Sequence, residues 1–159
     1  MNNDSLDLEK LIKDNLVGTS LNLENKKLGD AGAQNLATNK MLLTLTTLEL
    51  GDNEITDAGV ASLAQSSFMK NLKVLNLKSN KITAEGAYAL AQSENLAQLD
   101  QLILKFNKIG IEGAKHLAAS TTLAKVTTLD LFRNDIGQEG ARAIKQSKTL
   151  TRLSRLRLD

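Results

Sequence analysis

Cysteine is absent from the 159 residues, and aromatic residues make up only 3% of them, as three Phe and one Tyr. Without cysteine there is no disulfide framework, no thiolate zinc site and no cysteine nucleophile, and a reducing compartment is tolerated. Scarce aromatics require an aliphatic interior of Leu, Ile, Val and Ala, residues that suit small, regular layers. An excess of either charge is lacking too: 20 Lys plus Arg against 18 Asp plus Glu leave a formal +2. That imbalance is too small to argue for a nucleic acid or a membrane surface. No window approaches the roughly 18 consecutive apolar residues of a membrane span. Residues 1–5, Met-Asn-Asn-Asp-Ser, are polar and acidic, unlike the basic start and apolar centre of a secretory signal. These absences predict a soluble protein with no Sec-type signal peptide.

What is present is a period. Leu23, Leu50, Leu77, Leu104, Leu131 and Leu158 are each 27 residues apart, and so are Leu21, Leu48, Leu75, Leu102, Leu129 and Leu156. Gly32, Gly59, Gly86, Gly113 and Gly140 keep the same step. One structural unit is therefore repeated, and function must lie in what varies between copies.

Within the third unit, Leu72, Leu75 and Leu77 lead into Asn80 and Ile82, and the alternation of Leu75 and Leu77 has the period of a half-buried strand. Thr83 then offers a helix cap, and Ala87, Leu90 and Ala91 fall on one helical face. Each unit is predicted to be one strand plus one short helix. Asn53, Asn80, Asn107 and Asn134 recur three residues after the second leucine, where an amide can satisfy inward-turning backbone. The recurrent glycines keep the first helical turn slim for close packing.

The pattern L-x-x-L-x-L-x-x-N-x-[IL], from Leu72 to Ile82, resembles a leucine-rich repeat, and the G-A-x-x-L-A segment from Gly86 to Ala91 is similar to the ribonuclease-inhibitor type. The resemblance implies an α/β fold: a right-handed solenoid arc with a concave parallel sheet and convex helices. Its curvature follows from bulk, since strands stack about 4.8 Å apart and helices about 8–10 Å. The expected division is an N-terminal capping helix in residues 1–17 and a repeat domain in residues 18–159, with five full strand–helix units and a final strand. Ser5 is the expected cap of the first helix. In the first unit Gly18 stands where a leading leucine belongs and Lys26 where the asparagine belongs. At the other end Leu156 and Leu158 have no helix after them in the sequence, so either Arg152, Arg155 and Arg157 protect that edge or the native chain continues.

Outward strand positions can be read unit by unit. Ser20, Asn22, Glu24 and Asn25, then Thr47, Glu49, Gly51 and Asp52, then Val74, Asn76, Lys78 and Ser79, are mostly small and polar with an acidic tendency. Gln101, Ile103, Lys105 and Phe106, then Thr128, Asp130, Phe132 and Arg133, then Arg155 and Arg157, are apolar and basic. The partner-binding candidates are Glu49, Asp52, Lys78, Ile103, Lys105, Phe106, Asp130, Phe132, Arg133, Arg155 and Arg157. Phe106 and Phe132 either anchor a partner, as aromatics and Arg do at interface hot spots, or fold back over the strand-to-helix loop and cover the core. Phe68 reads as core packing, and His116 and Tyr88 as convex helix residues without a catalytic partner.

No catalytic residue, metal site, cofactor or small-molecule substrate is expected. The acidic group of Glu24, Glu49 and Asp52 lacks a dedicated cation loop. The basic end, Lys145, Lys148, Arg152, Arg155 and Arg157, carries no stacking aromatics, which argues against nucleic acid and for a solvated edge. The leading expectation is a non-enzymatic module whose concave face binds a folded protein. The ribonuclease-inhibitor likeness adds steric occlusion of a partner enzyme as a mode. Short cysteine-free arrays of this kind are also similar to repeat proteins that intracellular bacterial pathogens deliver into host cells, so the expected location is the cytoplasm or a host cell. The alternative is the targeting or substrate-recognition arm of a larger enzyme such as a ubiquitin ligase.

Overall fold

A computed structural model of the chain describes residues 7–158. Seven short strands form one sheet in chain order: β1 (Leu16–Val17), β2 (Ser20–Asn22), β3 (Thr47–Glu49), β4 (Val74–Asn76), β5 (Gln101–Ile103), β6 (Thr128–Asp130) and β7 (Arg155–Arg157). Strands β2 to β7 are parallel, and every pairing in this run joins residues one repeat apart: Leu21 to Leu48, Leu48 to Leu75, and on to Leu129 with Leu156. Identical spacing in the sequence has become identical height in the sheet. Backbone pairing continues past each strand, as in Leu50 N–H to Asn76 C=O at 2.8 Å and Leu131 N–H to Arg157 C=O at 2.8 Å.

The helices are α1 (Leu8–Asn15), α2 (Gly29–Ala37), α3 (Asp57–Gln65), α4 (Ala84–Ala91), α5 (Gly110–Ala118) and α6 (Gly137–Lys145). From α2 onward each follows its strand, and successive helices pack side by side. Their alternate spacing decides which residues meet the sheet. Ala87, Leu90 and Ala91 of α4 are buried with Leu75 and Leu77, as are their counterparts in α3 and α5. One continuous aliphatic core results, without a single aromatic side chain among its fully enclosed members. Phe68 is half-buried against it, in the short 3₁₀ turn Ser67–Met69.

Glycine does the work expected of it where helices touch. A Cβ on Gly113 would lie 2.6 Å from Ile109 Cγ2 and 3.1 Å from the Cα of Ala84 in the preceding helix. The asparagine row also forms. Asn107 takes the amide of Ile82 on its Oδ1 at 3.0 Å and donates through Nδ2 to the carbonyls of Leu77 and Leu104 at 2.9 and 2.8 Å. Asn53 supplies the first unit, where Lys26 lacks an amide: the Lys26 N–H donates to Asn53 Oδ1 at 2.9 Å.

A second polar row has the same period and lies at the opposite ends of the helices. Ser66, Ser93, Ser120 and Ser147 each donate a hydroxyl to the carbonyl of Ala37, Ala64, Ala91 and Ala118 respectively, all at 2.6 Å. These carbonyls are among the last in their helices, and those of Ala64, Ala91 and Ala118 also accept from Asn95, Thr122 and Thr149.

The start of the array is built differently from its repeats. In the stretch expected to be a capping helix, α1 buries Ile12 and ends at Asn15, and the chain then turns into β1, which pairs antiparallel with β2. Gly18, at φ +60°, sits in the two-residue turn between them, so its place in the leucine pattern is set by hairpin geometry. Asp7 caps α1 through the Lys10 amide at 3.1 Å, and Ser5 lies outside the described residues. At the far end Leu153, Leu156 and Leu158 are only half-buried, whereas their counterparts Leu129 and Leu131 are enclosed.

Candidate protein-binding face

The outward strand residues and the turn after each strand form one continuous surface, and this surface divides into two halves with different internal bonding. In the N-terminal half the charges are largely matched within the chain. Lys78 reaches across two repeats to Glu24, with Nζ to Oε1 at 3.0 Å, and the two side chains are about equally shielded. Gly51 lies beneath this crossing: a Cβ there would be 2.8 Å from Lys78 Cε and 3.0 Å from Glu24 Oε1. The hydrogen bond from Lys78 to Glu24, against a smaller opposing effect of burial, raises the lysine pKa above its ordinary value. Asn76 Nδ2 donates to Glu49 Oε2 at 2.6 Å and to Glu24 Oε1 at 3.2 Å. Of the acidic candidates, Asp52 is the exposed one, whereas Glu49 and Asp130 are partly buried.

The C-terminal half carries an aromatic and cationic cluster. The Phe106 and Phe132 rings meet edge to face, with centroids 5.8 Å apart at 80°. Arg133 lies over both, at 5.8 Å from Phe106 and 5.6 Å from Phe132, while Arg157 covers Phe132 at 4.6 Å and Lys105 lies 5.9 Å from Phe106. Neither ring joins the core cluster, and Phe106 is 42% exposed. The alternative in which the rings cover the core is therefore not the observed arrangement. Beside them a shallow cavity of about 370 Å³ has Ile103 and Leu129 in its lining, with Asp130, Arg155 and Arg157 around it. Asp130 also accepts the Phe132 amide at 3.1 Å, which orients its carboxylate.

A left-handed residue recurs at one position in the turn after each strand, as Asn25 (φ 56°), Asp52 (55°), Ser79 (52°), Phe106 (60°) and Arg133 (55°), and Lys27, Glu54 and Asp135 add a second in three of these turns. Asn and Asp tolerate this region because their short side chains bond locally, whereas a bulky residue there is strained by about 1–2 kcal/mol. Periodicity placed Phe106 at this position but could not show its φ. The sequence signal available was the change along the column: Asn25, Asp52 and Ser79 are turn formers, whereas Phe106 and Arg133 are not.

On the helical side, His116 is not simply solvated: its ring meets Tyr88 edge to face, with centroids 4.9 Å apart at 67°. Lys115 pairs with Glu139 at 2.7 Å and Glu112 at 2.9 Å. Among the described residues no group of three His, Cys, Asp or Glu side chains is placed to hold a metal ion, and no helix is long and apolar enough to cross a membrane.

Comparison with known proteins agrees with this architecture. A leucine-rich repeat family model matches residues 42–64, 68–91 and 122–145. A structure titled Leiomodin-1 Actin-Binding Site 2 is similar at a TM-score of 0.61 and 20% identity, over 91% of this chain and 86% of that one. An internalin (inlF) from Listeria monocytogenes str. 4b F2365 is 24% identical over 77% of this chain and 36% of that chain, with a TM-score of 0.44. A search of curated protein sequences finds no match. Three stretches of the chain match the leucine-rich repeat model, and its fold is that of a leucine-rich-repeat solenoid.

Proposed function

We propose that this chain is a non-enzymatic module that binds a folded protein through the outward face of its sheet, with the contact centred on Phe106 and Phe132. The observation that carries the reading is Phe106: it occupies a left-handed turn position, yet stays 42% exposed and adds nothing to the core. An exposed aromatic ring flanked by cations has the make-up of an interface anchor. Ile103, Lys105, Asp130, Arg133, Arg155 and Arg157 surround the ring pair, and Glu49, Asp52 and Lys78 form the more polar part of the face. Six parallel strands about 4.8 Å apart span roughly 25 Å, enough for an interface of about 800 Å² per partner. The leiomodin-1 segment with the same fold is described as an actin-binding site, which supports protein recognition as a use of this architecture.

An arc of this kind can cover a partner enzyme's active site or hold a substrate for a larger enzyme. The inhibitory mode fits a face whose ring anchors sit in the turns that follow β5 and β6. Affinity capture from candidate lysates with the intact protein, beside a Phe106→Ala/Phe132→Ala variant of unchanged melting temperature, tests the reading. Captured proteins lost only with the variant are the expected result, followed by an activity assay of any captured enzyme. Capture identical for both proteins would remove the face from consideration.

A further inference from the structure

We infer that the partner presents to the C-terminal half of this face an acidic segment bearing an apolar side chain. The inference rests on the protein-binding reading and adds the chemistry of the occupant. Unmatched charge decides it. Glu24 and Glu49 are engaged by Lys78 and Asn76, but among the described residues no carboxylate pairs with Lys105, Arg155 or Arg157. On the outward strand positions, these unmatched cations lie beside the aromatic pair and the cavity.

The geometry favours carboxylates in particular. The Arg157 guanidinium carbon lies 4.6 Å from the centre of the Phe132 ring, within cation–π range. A planar guanidinium can take a carboxylate in two parallel hydrogen bonds, which an ammonium cannot match. Beside it, the cavity of about 370 Å³ between Ile103 and Arg155 is large enough for one side chain. Its single acid, Asp130, can accept a backbone amide of an extended segment. Nucleic acid fits less well. Only two rings are present on this face, and both already carry a cation within 6 Å, so no run of free aromatic faces is available to stack successive bases.

The test uses the intact protein and three fluorescent probes: a Glu-rich peptide containing one leucine, the same peptide with Gln for every Glu, and oligothymidylate. Anisotropy titration is expected to show the acidic peptide binding about tenfold or more tighter than the Gln version, as loss of charge-assisted bonds implies. Arg155→Gln/Arg157→Gln should reduce that affinity by a similar factor with an unchanged melting temperature. Phe106→Asn should reduce it while the melting temperature rises, an outcome that a merely structural phenylalanine would not produce. Equal binding of the two peptides, or tighter binding of oligothymidylate, would overturn the inference. If the acidic peptide fails while capture of a protein still depends on Phe106 and Phe132, the acidic class alone is wrong; if capture is also indifferent, the protein-binding reading falls with it.

Discussion

Thr56 and Asp30, in neighbouring repeats, are joined by two hydrogen bonds: the Thr56 amide and hydroxyl donate to the Asp30 carboxylate at 2.8 and 2.6 Å. Gly59 N–H donates to the same carboxylate at 3.0 Å, so one helix supplies the N-terminal anion for the next. Asp57 repeats the arrangement with Thr83 and Gly86.

Acid should loosen this joint. Burial by itself would raise the Asp30 pKa, but the Thr56 hydroxyl and the Thr56 and Gly59 amides outweigh it and hold the carboxyl below its ordinary value. A depressed folded-state pKa stabilises the fold fully above the unfolded value, about 3.9, and that contribution disappears as pH falls through the folded value. Wild type and Asp30→Asn should therefore differ by a constant stability at neutral pH and converge below about pH 4. Urea unfolding of both proteins across pH checks this, and a gap that widens in acid would refute it.

Asn107 holds three buried backbone groups from three segments, the Ile82 amide and the Leu77 and Leu104 carbonyls. Replacement by Ala strands them, at about 1–3 kcal/mol for each group that water cannot reach. A loss of about 2–4 kcal/mol is expected in chemical denaturation. A loss under about 1 kcal/mol would show that the row is dispensable.

Phe106→Asn should stabilise the protein. Asn is the residue found at φ 56° in the first unit, and the exposed ring contributes nothing to the core. Relief of left-handed strain predicts a gain of about 1 kcal/mol, offset in part by the lost Phe132 and cation contacts. Unchanged or lower stability would mean that those contacts already compensate the turn.

Gly51→Val should act through Lys78. The new side chain would occupy the path of the lysine and part it from Glu24, with a cost under about 1 kcal/mol for a partly exposed pair. Combining it with Lys78→Met should add almost nothing, because both changes remove the same contact. Strict additivity in this double-mutant cycle would place the effect of Gly51 elsewhere.

Much of the architecture was legible because it rests on repetition. Leucines at a fixed interval must stack in register, and the register then dictates the asparagine and glycine rows, all observed. The serine row had the same interval at Ser66, Ser93, Ser120 and Ser147, yet hydroxyls are common enough on helix ends that period alone did not expose their role. Gly18 was harder, since a hairpin turn in front of the array depends on where the chain before it goes. Cross-repeat partners were illegible altogether. Nothing in local spacing says that Lys78 turns toward Glu24 and not toward Asp52, because that choice depends on the space above Gly51.

By itself the sequence determined the layer order, the register of the sheet and the identity of the outward residues, since each follows from a period matched to strand and helix geometry. Tertiary structure decided which of those outward residues remain available. Side chains on different repeats either satisfy one another, as Glu24 and Lys78 do, or assemble into a partly exposed ring-and-cation cluster, as Phe106, Phe132 and Arg157 do. The physical reason is that such pairings are settled by side-chain direction and free volume across repeats, two quantities that exist only once the chain has stacked.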